Sequence, residues 1–252
     1  MARREFAAVV LDLYDTIVRW DPAQLPEVEW RGRKFRSTEP FQIEILQPRF
    51  GYQLDVERWL GVYHSVVEEI MAEREQGEIE TTCDERFVRA LTRFGMPPGD
   101  QMARLARELT QVHMRHVRRV TSAPAERVAA VRKIAPHYRL GLLSNFDDSR
   151  TGHEVLSDTG VSHLFEAVII SADAGMRKPN PKIFEQMLAM LSLAAGEVLF
   201  VGDTPQHDVV GPARVGMRTA WISAGKGPWP EGLSAPDYVI GDLAELPALL
   251  GC

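Results

Sequence analysis

Short runs of uninterrupted apolar residues constrain the fold of this chain more than any other feature. They are Ala7–Leu11, Leu140–Leu143, Ala167–Ile170 and Val198–Val201, with a shorter fifth run at Thr219–Ile222. A strand of a parallel sheet is covered on both faces, so it is apolar at every position instead of every second one. Helical patterns lie between the later runs. This alternation predicts an α/β fold, a Rossmann-like, doubly wound parallel sheet built from right-handed βαβ units.

Apolar residues at helical spacing predict the helices that connect these strands. The predicted helices cover Ala123–Ile134, Val155–Thr159, Pro181–Leu191 and Asp208–Val215. Each lies between two predicted strands or follows one, as a doubly wound sheet requires.

The segment from about Trp20 to Arg118 departs from this alternation. Val28–Phe35 predicts a short hairpin around Arg31-Gly32. Helices are predicted over Val56–Gln76, Asp84–Phe94 and Gly99–Arg119 from their amphipathic spacing. We therefore predict a core made of residues 1–19 and 119–252, and an inserted, mostly helical cap made of residues 20–118. A module inserted after the first strand would sit above the carboxyl ends of the strands, where open α/β sheets bind ligands.

Composition and charge limit the partners of the chain. Of 252 residues, 45% are hydrophobic and 25% are charged, which is enough apolar material for a sizeable core. The formal net charge of −6 gives no overall electrostatic footprint for nucleic acid or an anionic membrane surface. We expect a small-molecule substrate instead.

The cysteines and the first residues of the chain bear on the cellular compartment of the protein. Cys83 and Cys252 lie far apart and outside any metal-binding spacing, so neither a disulfide framework nor a zinc site is predicted. The start of the chain, Met1–Glu5, is charged like the beginning of a signal peptide, but the apolar run Phe6–Leu11 is too short for export or for a membrane span. A cytoplasmic location is therefore predicted.

Polar residues that could take part in catalysis follow the predicted strands. Asp12 follows the first strand, Ser144 follows the second, and Asp203 follows the fourth, with Asp208 five residues later. Lys178 lies in a loop between the third strand and the next helix. Together they supply a carboxylate nucleophile, a hydroxyl donor, a fixed cation and an acidic pair suited to a hard metal such as Mg²⁺.

Four motifs in this order resemble those of the haloacid dehalogenase superfamily. They are Asp12-Leu13-Tyr14-Asp15-Thr16, Ser144-Asn145, Gly175-Met176-Arg177-Lys178-Pro179-Asn180-Pro181-Lys182-Ile183-Phe184, and Gly202-Asp203-Thr204 with Asp208. The resemblance covers nearly the whole chain outside residues 20–118. It implies a hydrolase whose cap domain lies between the first two motifs.

The resemblance also implies a role for each motif residue. Asp12 matches the nucleophile, whose covalent intermediate divides one difficult displacement into two easier ones. Ser144 matches the hydroxyl that donates to a phosphoryl oxygen, and Lys178 matches the cation that offsets the charge between nucleophile and phosphoryl group. Thr16 and Asn145 are implied as substrate-binding residues.

Mg²⁺ is the cofactor that the resemblance implies. Its ligands would be carboxylates of Asp12, Asp203 and Asp208 and the backbone carbonyl of Tyr14, with water and the substrate completing the shell. His207 lies between the two acids of the fourth motif, but Mg²⁺ prefers oxygen, so we do not predict His207 as a ligand.

Tyr14 stands where phosphatases of this superfamily carry a second aspartate, which protonates the leaving group. Asp15 lies one residue further on, where the family more often has glycine, and a one-residue shift within a loop should turn its carboxylate elsewhere. Losing a general acid typically costs ~10²- to 10⁴-fold in rate. The phosphatase would then be slow or limited to good leaving groups.

Two alternatives to a Mg²⁺-dependent phosphatase follow from Tyr14. The 2-haloacid dehalogenases of the superfamily carry tyrosine at this position and a Ser-Asn pair like Ser144-Asn145, and halide leaves without a proton. Those dehalogenases need no metal. In this chain, however, Asp12, Asp203 and Asp208 would repel one another, and at ~4 Å each like-charge pair costs several kcal/mol at an effective dielectric constant near 20. A cation is the simplest remedy, so phosphoryl chemistry ranks first. The second alternative is a binding or regulatory protein that has lost turnover.

Two groups of cations could contact an anionic substrate. The first lies in the predicted hairpin and the second at the end of the last cap helix. They comprise Arg31, Arg33, Lys34 and Arg36, and His113, Arg115, His116, Arg118 and Arg119. We interpret the first group as a solvated hairpin face and the second as the positive last turn of a helix.

Overall fold

The computed structural model describes residues 5–51 and 54–252, and the charged start of the chain, residues 1–4, lies outside them. The chain divides into two compact units. One, the core unit, contains the residues up to Arg19 and Ser122–Cys252. The other, the inserted unit, contains Trp20–Thr121.

Short strands occur in both units. In chain order the strands are β1 (Ala8–Leu11), β2 (Arg19–Trp20), β3 (Glu27–Trp30), β4 (Arg33–Arg36), β5 (Thr121–Ser122), β6 (Arg139–Ser144), β7 (Phe165–Ile170), β8 (Val198–Gly202), β9 (Arg218–Ile222) and β10 (Tyr238–Ile240). Six of them form one sheet in the order β10-β9-β8-β1-β6-β7, and its neighbouring strands pair in parallel. Strands β2 and β5 pair with each other, as do β3 and β4. The expected doubly wound parallel sheet is confirmed.

Helices connect the strands of the sheet and make up most of the inserted unit. They are α1 (Glu39–Phe50), α2 (Val56–Gly77), α3 (Cys83–Phe94), α4 (Asp100–Arg119), α5 (Ala125–Ile134), α6 (Ser149–Asp158), α7 (Ser171–Ala174), α8 (Pro181–Leu191), α9 (Gly211–Arg214) and α10 (Leu246–Leu249). Among the helices of the described residues, none combines the length and apolar character needed to cross a membrane.

The sheet is covered on both faces because alternate residues of each strand point to opposite sides. Val9 and Leu11 of β1 belong to a hydrophobic cluster that includes Val131 of α5. Ala8 and Val10 belong to a second cluster that includes Phe184 of α8. Burying an apolar side chain of this size contributes about 1.5–3 kcal/mol, which explains why the strands are apolar throughout.

The inserted unit has its own aromatic core. Trp59 and Tyr63 lie on α2, and Phe87 and Phe94 lie on α3. The Tyr63 and Phe87 rings stack at 5.6 Å, and the Trp59 and Phe94 rings meet edge to face at 5.5 Å. These ring contacts explain the strong amphipathic pattern of the sequence here, since each helix turns one apolar stripe inward.

Turn chemistry explains the hairpin of the inserted unit. β3 and β4 pair antiparallel from Trp30 opposite Arg33 to Glu27 opposite Arg36. The two residues between the strands, Arg31 and Gly32, have φ of 49° and 74°. Two successive residues with positive φ form the tight turn whose twist matches an antiparallel pair.

Helices α1, α6 and α9 are among those that differ from the sequence-based prediction. The predicted helix Asp208–Val215 is wrong at its start, because a π-helical turn over Pro205–Val210 comes first and α9 follows it. Pro212 has no N–H to donate, so it cannot continue an α-helical ladder from the preceding turn. Helix α6 starts six residues before the predicted Val155, where the Asp148 side chain accepts from Thr151 N at 2.8 Å. Helix α1 was not predicted, since it contains Pro48 and has little amphipathic character.

Candidate active site

The order of strands brings three motif residues to one edge of the sheet. Asp12 follows β1, Ser144 is the last residue of β6, and Asp203 follows β8. Strand β1 pairs with β6 on one side and β8 on the other. The strands that follow β1 in the sequence are added first on one side of it (β6, β7) and then on the other (β8, β9, β10). The carboxyl ends of the strands at such a switch in strand order form the crevice where open α/β sheets bind ligands.

Three buried carboxylates form a cluster at this edge. Asp12, Asp203 and Asp208 each offer an oxygen, and these oxygens lie within 4.8 Å of one another. Within residues 5–51 and 54–252 no other group of histidine, cysteine and acidic side chains comes together in this way. A set of carboxylate oxygens is the donor set that suits Mg²⁺, so the residues present fit the implied metal.

Lys178 connects two of these carboxylates. Its Nζ lies 2.8 Å from Asp12 Oδ1 and 2.7 Å from Asp208 Oδ1, and its side chain is 2% exposed. Its Nζ also lies 5.1 Å from the centre of the Phe200 ring. Burial alone would lower the pKa of Lys178, but Asp12 and Asp208 outweigh that effect and raise it. The lysine is therefore a fixed cation in the cluster.

The carboxylates repel one another and lie out of water. Burial raises the pKa of Asp12 to about 7, although Lys178 opposes the shift, and Asp208 and Asp203 add to it. Burial and the charge of Asp208 also raise the pKa of Asp203. Burial is the largest cause of both shifts because it disfavours the charged carboxylates, and a bound cation would stabilise that charged form.

Asp208 also holds the loop that follows β8. Its Oδ2 accepts from the backbone N–H of Asp203 at 3.1 Å and of Thr204 at 2.9 Å. A Cβ on Gly202 would overlap the Asp208 side chain, so only glycine allows this close approach. Asp208 therefore links the loop geometry to Lys178.

Asn145, which the resemblance implies as a substrate-binding residue, forms hydrogen bonds with the main chain of Lys178. Its Nδ2 donates to Lys178 O at 2.9 Å, and its Oδ1 accepts from Lys178 N at 2.8 Å. The amide thus holds the main chain of Lys178 from both sides. This pair of bonds fixes the residue whose ammonium bridges Asp12 and Asp208.

Two motif hydroxyls are buried without a hydrogen-bond partner among the described residues. They are Ser144 Oγ and Thr16 Oγ1. A buried polar group without a partner costs about 1–3 kcal/mol, and such a group in a crevice has capacity to bind a ligand. The Ser144 hydroxyl, at the carboxyl end of β6, is available to donate to an incoming oxygen.

Tyr14 presents an aromatic face at the position where a phosphatase would carry its acid. Its ring stacks on Phe146 with centroids 4.8 Å apart and planes at 21°. The phenol oxygen is buried and has no hydrogen-bond partner in the described part of the chain. Burial, with the charges of Asp147 and Asp12, raises the pKa of Tyr14 above its ordinary range. The phenol is therefore neutral and a poor proton donor.

Asp15 has the backbone conformation of a glycine. Its φ is 56°, in the left-handed region, and its carbonyl accepts from Arg127 Nη1 at 3.0 Å. Arg127 also donates to Asp242 Oδ2 at 2.8 and 3.0 Å. The loop after β1 is thus held by an arginine that sequence reasoning did not identify.

Lys226 and Trp221 are also at this site, and the sequence analysis missed both roles. Lys226 Nζ lies 2.5 Å from Asp203 Oδ2, and Trp221 Nε1 donates to Asp203 O at 3.0 Å. The Trp221 side chain is buried, with only 4% of it exposed. Its position on β9, next to β8, is the signal that could have placed its indole beside Asp203.

Three of the other candidate cations, Lys34, Arg36 and His113, have local partners. Lys34 and Arg36 pair with Glu27 at 3.5 and 3.6 Å. His113 Nδ1 lies 2.5 Å from Thr38 Oγ1. His207 is not in the metal-suited group, and burial lowers its pKa to about 4.

Comparison with known proteins gives the family. The chain matches the profile of the haloacid dehalogenase-like hydrolases over residues 56–222, about two thirds of its length. The chain belongs to this family. The match starts after Asp12, so it does not include the first motif.

Relatives of this haloacid dehalogenase-like hydrolase include several phosphatases. A phosphoserine phosphatase of Thermus thermophilus is 29% identical over 249 residues, covering 94% of this chain and 96% of the relative. A glyceraldehyde 3-phosphate phosphatase of Pyrococcus abyssi is 36% identical over 103 residues, 41% of this chain and 43% of the relative. The first alignment includes both units, and the second spans less than half of each protein.

Solved structures share the fold of this hydrolase. A 2-haloacid dehalogenase from Pseudomonas syringae superposes with a TM-score of 0.69 at 22% identity, and a HAD phosphatase from Thermococcus onnurineus with 0.64 at 22%. Each alignment covers 98% of both chains. At this identity the similarity establishes the fold, which both chemistries use.

Proposed function

We propose that this hydrolase is a Mg²⁺-dependent phosphatase that forms an aspartyl-phosphate on Asp12 and acts on a small phosphorylated metabolite. The observation that carries the proposal is the buried cluster in which Lys178 bridges Asp12 and Asp208 beside Asp203. Such a cluster combines a nucleophile, a fixed cation and a cation site. The phosphatases among the relatives support the same activity.

In the first step, a carboxylate oxygen of Asp12 attacks phosphorus and the bond from phosphorus to the alcohol oxygen breaks. Lys178 and the Ser144 hydroxyl stabilise the charge on the phosphoryl oxygens. The departing oxygen takes a proton. In the second step water attacks phosphorus, inorganic phosphate leaves, and the Asp12 carboxylate is restored.

The residues proposed to hold Mg²⁺ are Asp12, Asp203, Asp208 and the backbone carbonyl of Tyr14. When bound, Mg²⁺ would neutralise the carboxylates and the phosphoryl charge. Asp208 uses one oxygen for the two backbone N–H groups and the other for Lys178, so its contribution is chiefly to orient the site. Asn145 is proposed as a positioning residue for Lys178, and Thr16 as a substrate-side hydroxyl.

The leaving group receives little help from this chain. Tyr14 keeps its proton because its pKa is raised, and the alcohol must therefore leave with only solvent as a proton source. Substrates whose leaving group is a weak base should react faster than alkyl esters. We propose the inserted unit as the cap of the enzyme, with the core at residues 1–19 and 119–252, and a cytoplasmic location as the setting.

Release of inorganic phosphate from an aryl phosphate tests the proposal. The wild type should turn over with Mg²⁺, and a chelator should abolish the reaction. Asp12→Asn should lose about 10³-fold or more, since the amide is a poor nucleophile. A folded wild type with no turnover on a broad panel of phosphate esters would refute the proposal and favour a binding or regulatory role.

Tyr14 supports a second candidate, a 2-haloacid dehalogenase. Asp12 would then attack carbon, the bond from carbon to halogen would break, and water would hydrolyse the resulting ester. Water attacks the acyl carbon of an ester but the phosphorus of an acyl phosphate. A single turnover in H₂¹⁸O therefore places ¹⁸O in Asp12 for the dehalogenase and in inorganic phosphate for the phosphatase. Halide release in the presence of a chelator would further support the dehalogenase.

A further inference from the structure

Lys226 lies beside the carboxylate cluster but belongs to none of the four motifs. Its Nζ is 2.5 Å from Asp203 Oδ2, and the charges of Asp15 and Asp208 also act on Lys226. The Asp203 side chain is 8% exposed, whereas that of Lys226 is 38% exposed. A side chain that reaches solvent is therefore paired with a buried carboxylate.

The two lysines of the site are held in different ways. Lys178 is enclosed by two carboxylates, and Asn145 holds its main chain on both sides. Lys226 lies between Gly225 and Gly227, whose φ values are 71° and 62°. A Cβ at either glycine would meet no atom within 4 Å, so open space surrounds both. Glycine changes conformation at little steric cost, and Lys226 is therefore a cation on a movable tether.

On the N-terminal side of Lys226, backbone hydrogen bonds to the segment at Ile240 and Gly241 extend as far as Ala224. Ser223 N donates to Ile240 O at 2.9 Å and Ala224 N to Gly241 O at 3.0 Å. Beyond these bonds, Lys226 N donates to Ser223 O at 3.0 Å and closes a turn. A movement of Lys226 can therefore begin after Ala224 and leave the bonds that Ser223 N and Ala224 N donate intact.

Trp229, three residues after Lys226, connects the same loop to Asp203. Its ring meets that of Trp221 edge to face, with centroids 5.0 Å apart and planes at 75°. Trp221 in turn donates from Nε1 to Asp203 O. A change in the path of the loop would alter the contact between the two indoles, whose emission depends on their surroundings.

We propose that Lys226 competes with a divalent cation for Asp203 Oδ2, so that binding of the cation displaces the ammonium and moves Trp229 relative to Trp221. The inference rests on the proposed metal site. An ammonium and a divalent cation that share one carboxylate oxygen repel each other strongly at such short range. Lys226 consequently weakens cation binding and couples it to the loop at residues 225–229.

Magnesium affinity of the full chain, measured by isothermal titration calorimetry, tests the competition. Lys226→Met should bind Mg²⁺ about tenfold or more tightly than the wild type, because a nearby positive charge is removed. Lys226→Arg keeps the charge and should stay close to the wild type. The matched control is Lys133→Met, which removes the same charge from an exposed position in the last turn of α5. Solvent and salt screen that charge, so its effect should stay within about twofold.

Tryptophan emission gives a readout that charge removal alone would not produce. Adding Mg²⁺ to the wild type should change the emission, and Trp229→Phe should abolish the change. Lys226→Met should show, before Mg²⁺ is added, the emission of the Mg²⁺-saturated wild type. Circular dichroism confirms that each variant is folded.

The outcomes separate this inference from the proposed metal site. If Mg²⁺ binds the wild type and Lys226→Met equally well, or Lys133→Met tightens binding as much as Lys226→Met, the competition is refuted and the metal site stands. An emission that does not respond to Mg²⁺ in a protein that binds it refutes the loop movement. If neither the wild type nor Lys226→Met binds Mg²⁺, the metal site and the inference both fail.

Discussion

Tyr14 decides which reactions this site can accelerate. Its ring is fixed by Phe146 and its phenol is buried with a raised pKa, so the residue can neither donate a proton readily nor act as a base. The remaining residues still provide a nucleophile, a cation and hydroxyl donors. The chemistry should therefore depend on the leaving group more than on the binding of the phosphoryl group.

Tyr14→Asp should raise kcat for alkyl phosphates by about 10²-fold, because it restores a general acid two residues after the nucleophile. For aryl phosphates, whose leaving groups need no proton, the change should be no more than a few-fold. Steady-state kinetics with one substrate of each class measure the difference. Tyr14→Phe is the control, and it should match the wild type. A large loss in Tyr14→Phe would show that the phenol is the acid after all.

The sequence predicted the residues that follow strands better than those that approach from loops. Asp12, Ser144 and Asp203 are placed by strand order, which apolar runs reveal. Lys226 could not be found in this way, since a lysine between two glycines looks like any solvated turn, and its distance to Asp203 depends on the path of the loop. Asn145 was assigned to the substrate from the resemblance, and its bonds to Lys178 could not be foreseen because they join positions far apart in the chain.

At the scale of elements, the loop after β8 is packed closely against the Asp208 side chain. Gly202 is the last residue of the strand. Asp208, which lies in the π-helical turn, accepts hydrogen bonds from the backbone N–H groups of Asp203 and Thr204. A single well-oriented carboxylate thus organises the end of β8. The sequence predicted a helix here but could not reveal its π-helical first turn, which depends on packing around Asp208.

Gly202→Ala should destabilise the protein by about 1–3 kcal/mol, since the added methyl overlaps a buried side chain that three hydrogen bonds hold in place. Denaturant unfolding monitored by circular dichroism measures the change. Gly196→Ala is the matched control, because a Cβ there meets no atom within 4 Å. Equal stability of the two variants would mean that the loop accommodates the methyl freely.

Helix α4 carries a histidine that should make stability depend on pH. His116 stacks on Phe41, and burial together with Arg119 and Arg115 lowers its pKa, while Glu44 opposes the shift. The unfolded chain then binds more protons than the folded one below the ordinary pKa of about 6.5. The unfolding free energy should therefore fall as pH drops from about 6.5 through the lowered pKa.

Thermal unfolding at pH 7.5 and 5.0 tests this dependence. His116→Phe keeps an aromatic ring against Phe41 but cannot be protonated, so it should lose less stability at pH 5.0 than the wild type. His163→Gln, at an exposed position of the core unit, should behave like the wild type. If His116→Phe and the wild type lose equal stability, His116 does not contribute to the pH dependence.

At the scale of the whole molecule, two units with separate cores are built from one chain. The core unit buries both faces of a parallel sheet, and the inserted unit buries an aromatic stripe of α2 and α3. The periodicity of the sequence predicts both arrangements, because burial on two faces and burial on one face leave different patterns. Specificity depends on side chains whose positions such patterns do not determine.

The covalent intermediate on Asp12 is the central claim, and trapping it is the most direct test. The protein is mixed with an aryl phosphate and Mg²⁺, quenched in acid within one turnover, digested and analysed by mass spectrometry. We expect the peptide that contains Asp12 to gain the mass of one phosphoryl group. Treatment of the modified peptide with hydroxylamine should remove that group, and the corresponding peptide of Asp12→Asn should remain unmodified. Rapid phosphate release with no modified Asp12 peptide at any quench time would contradict the account.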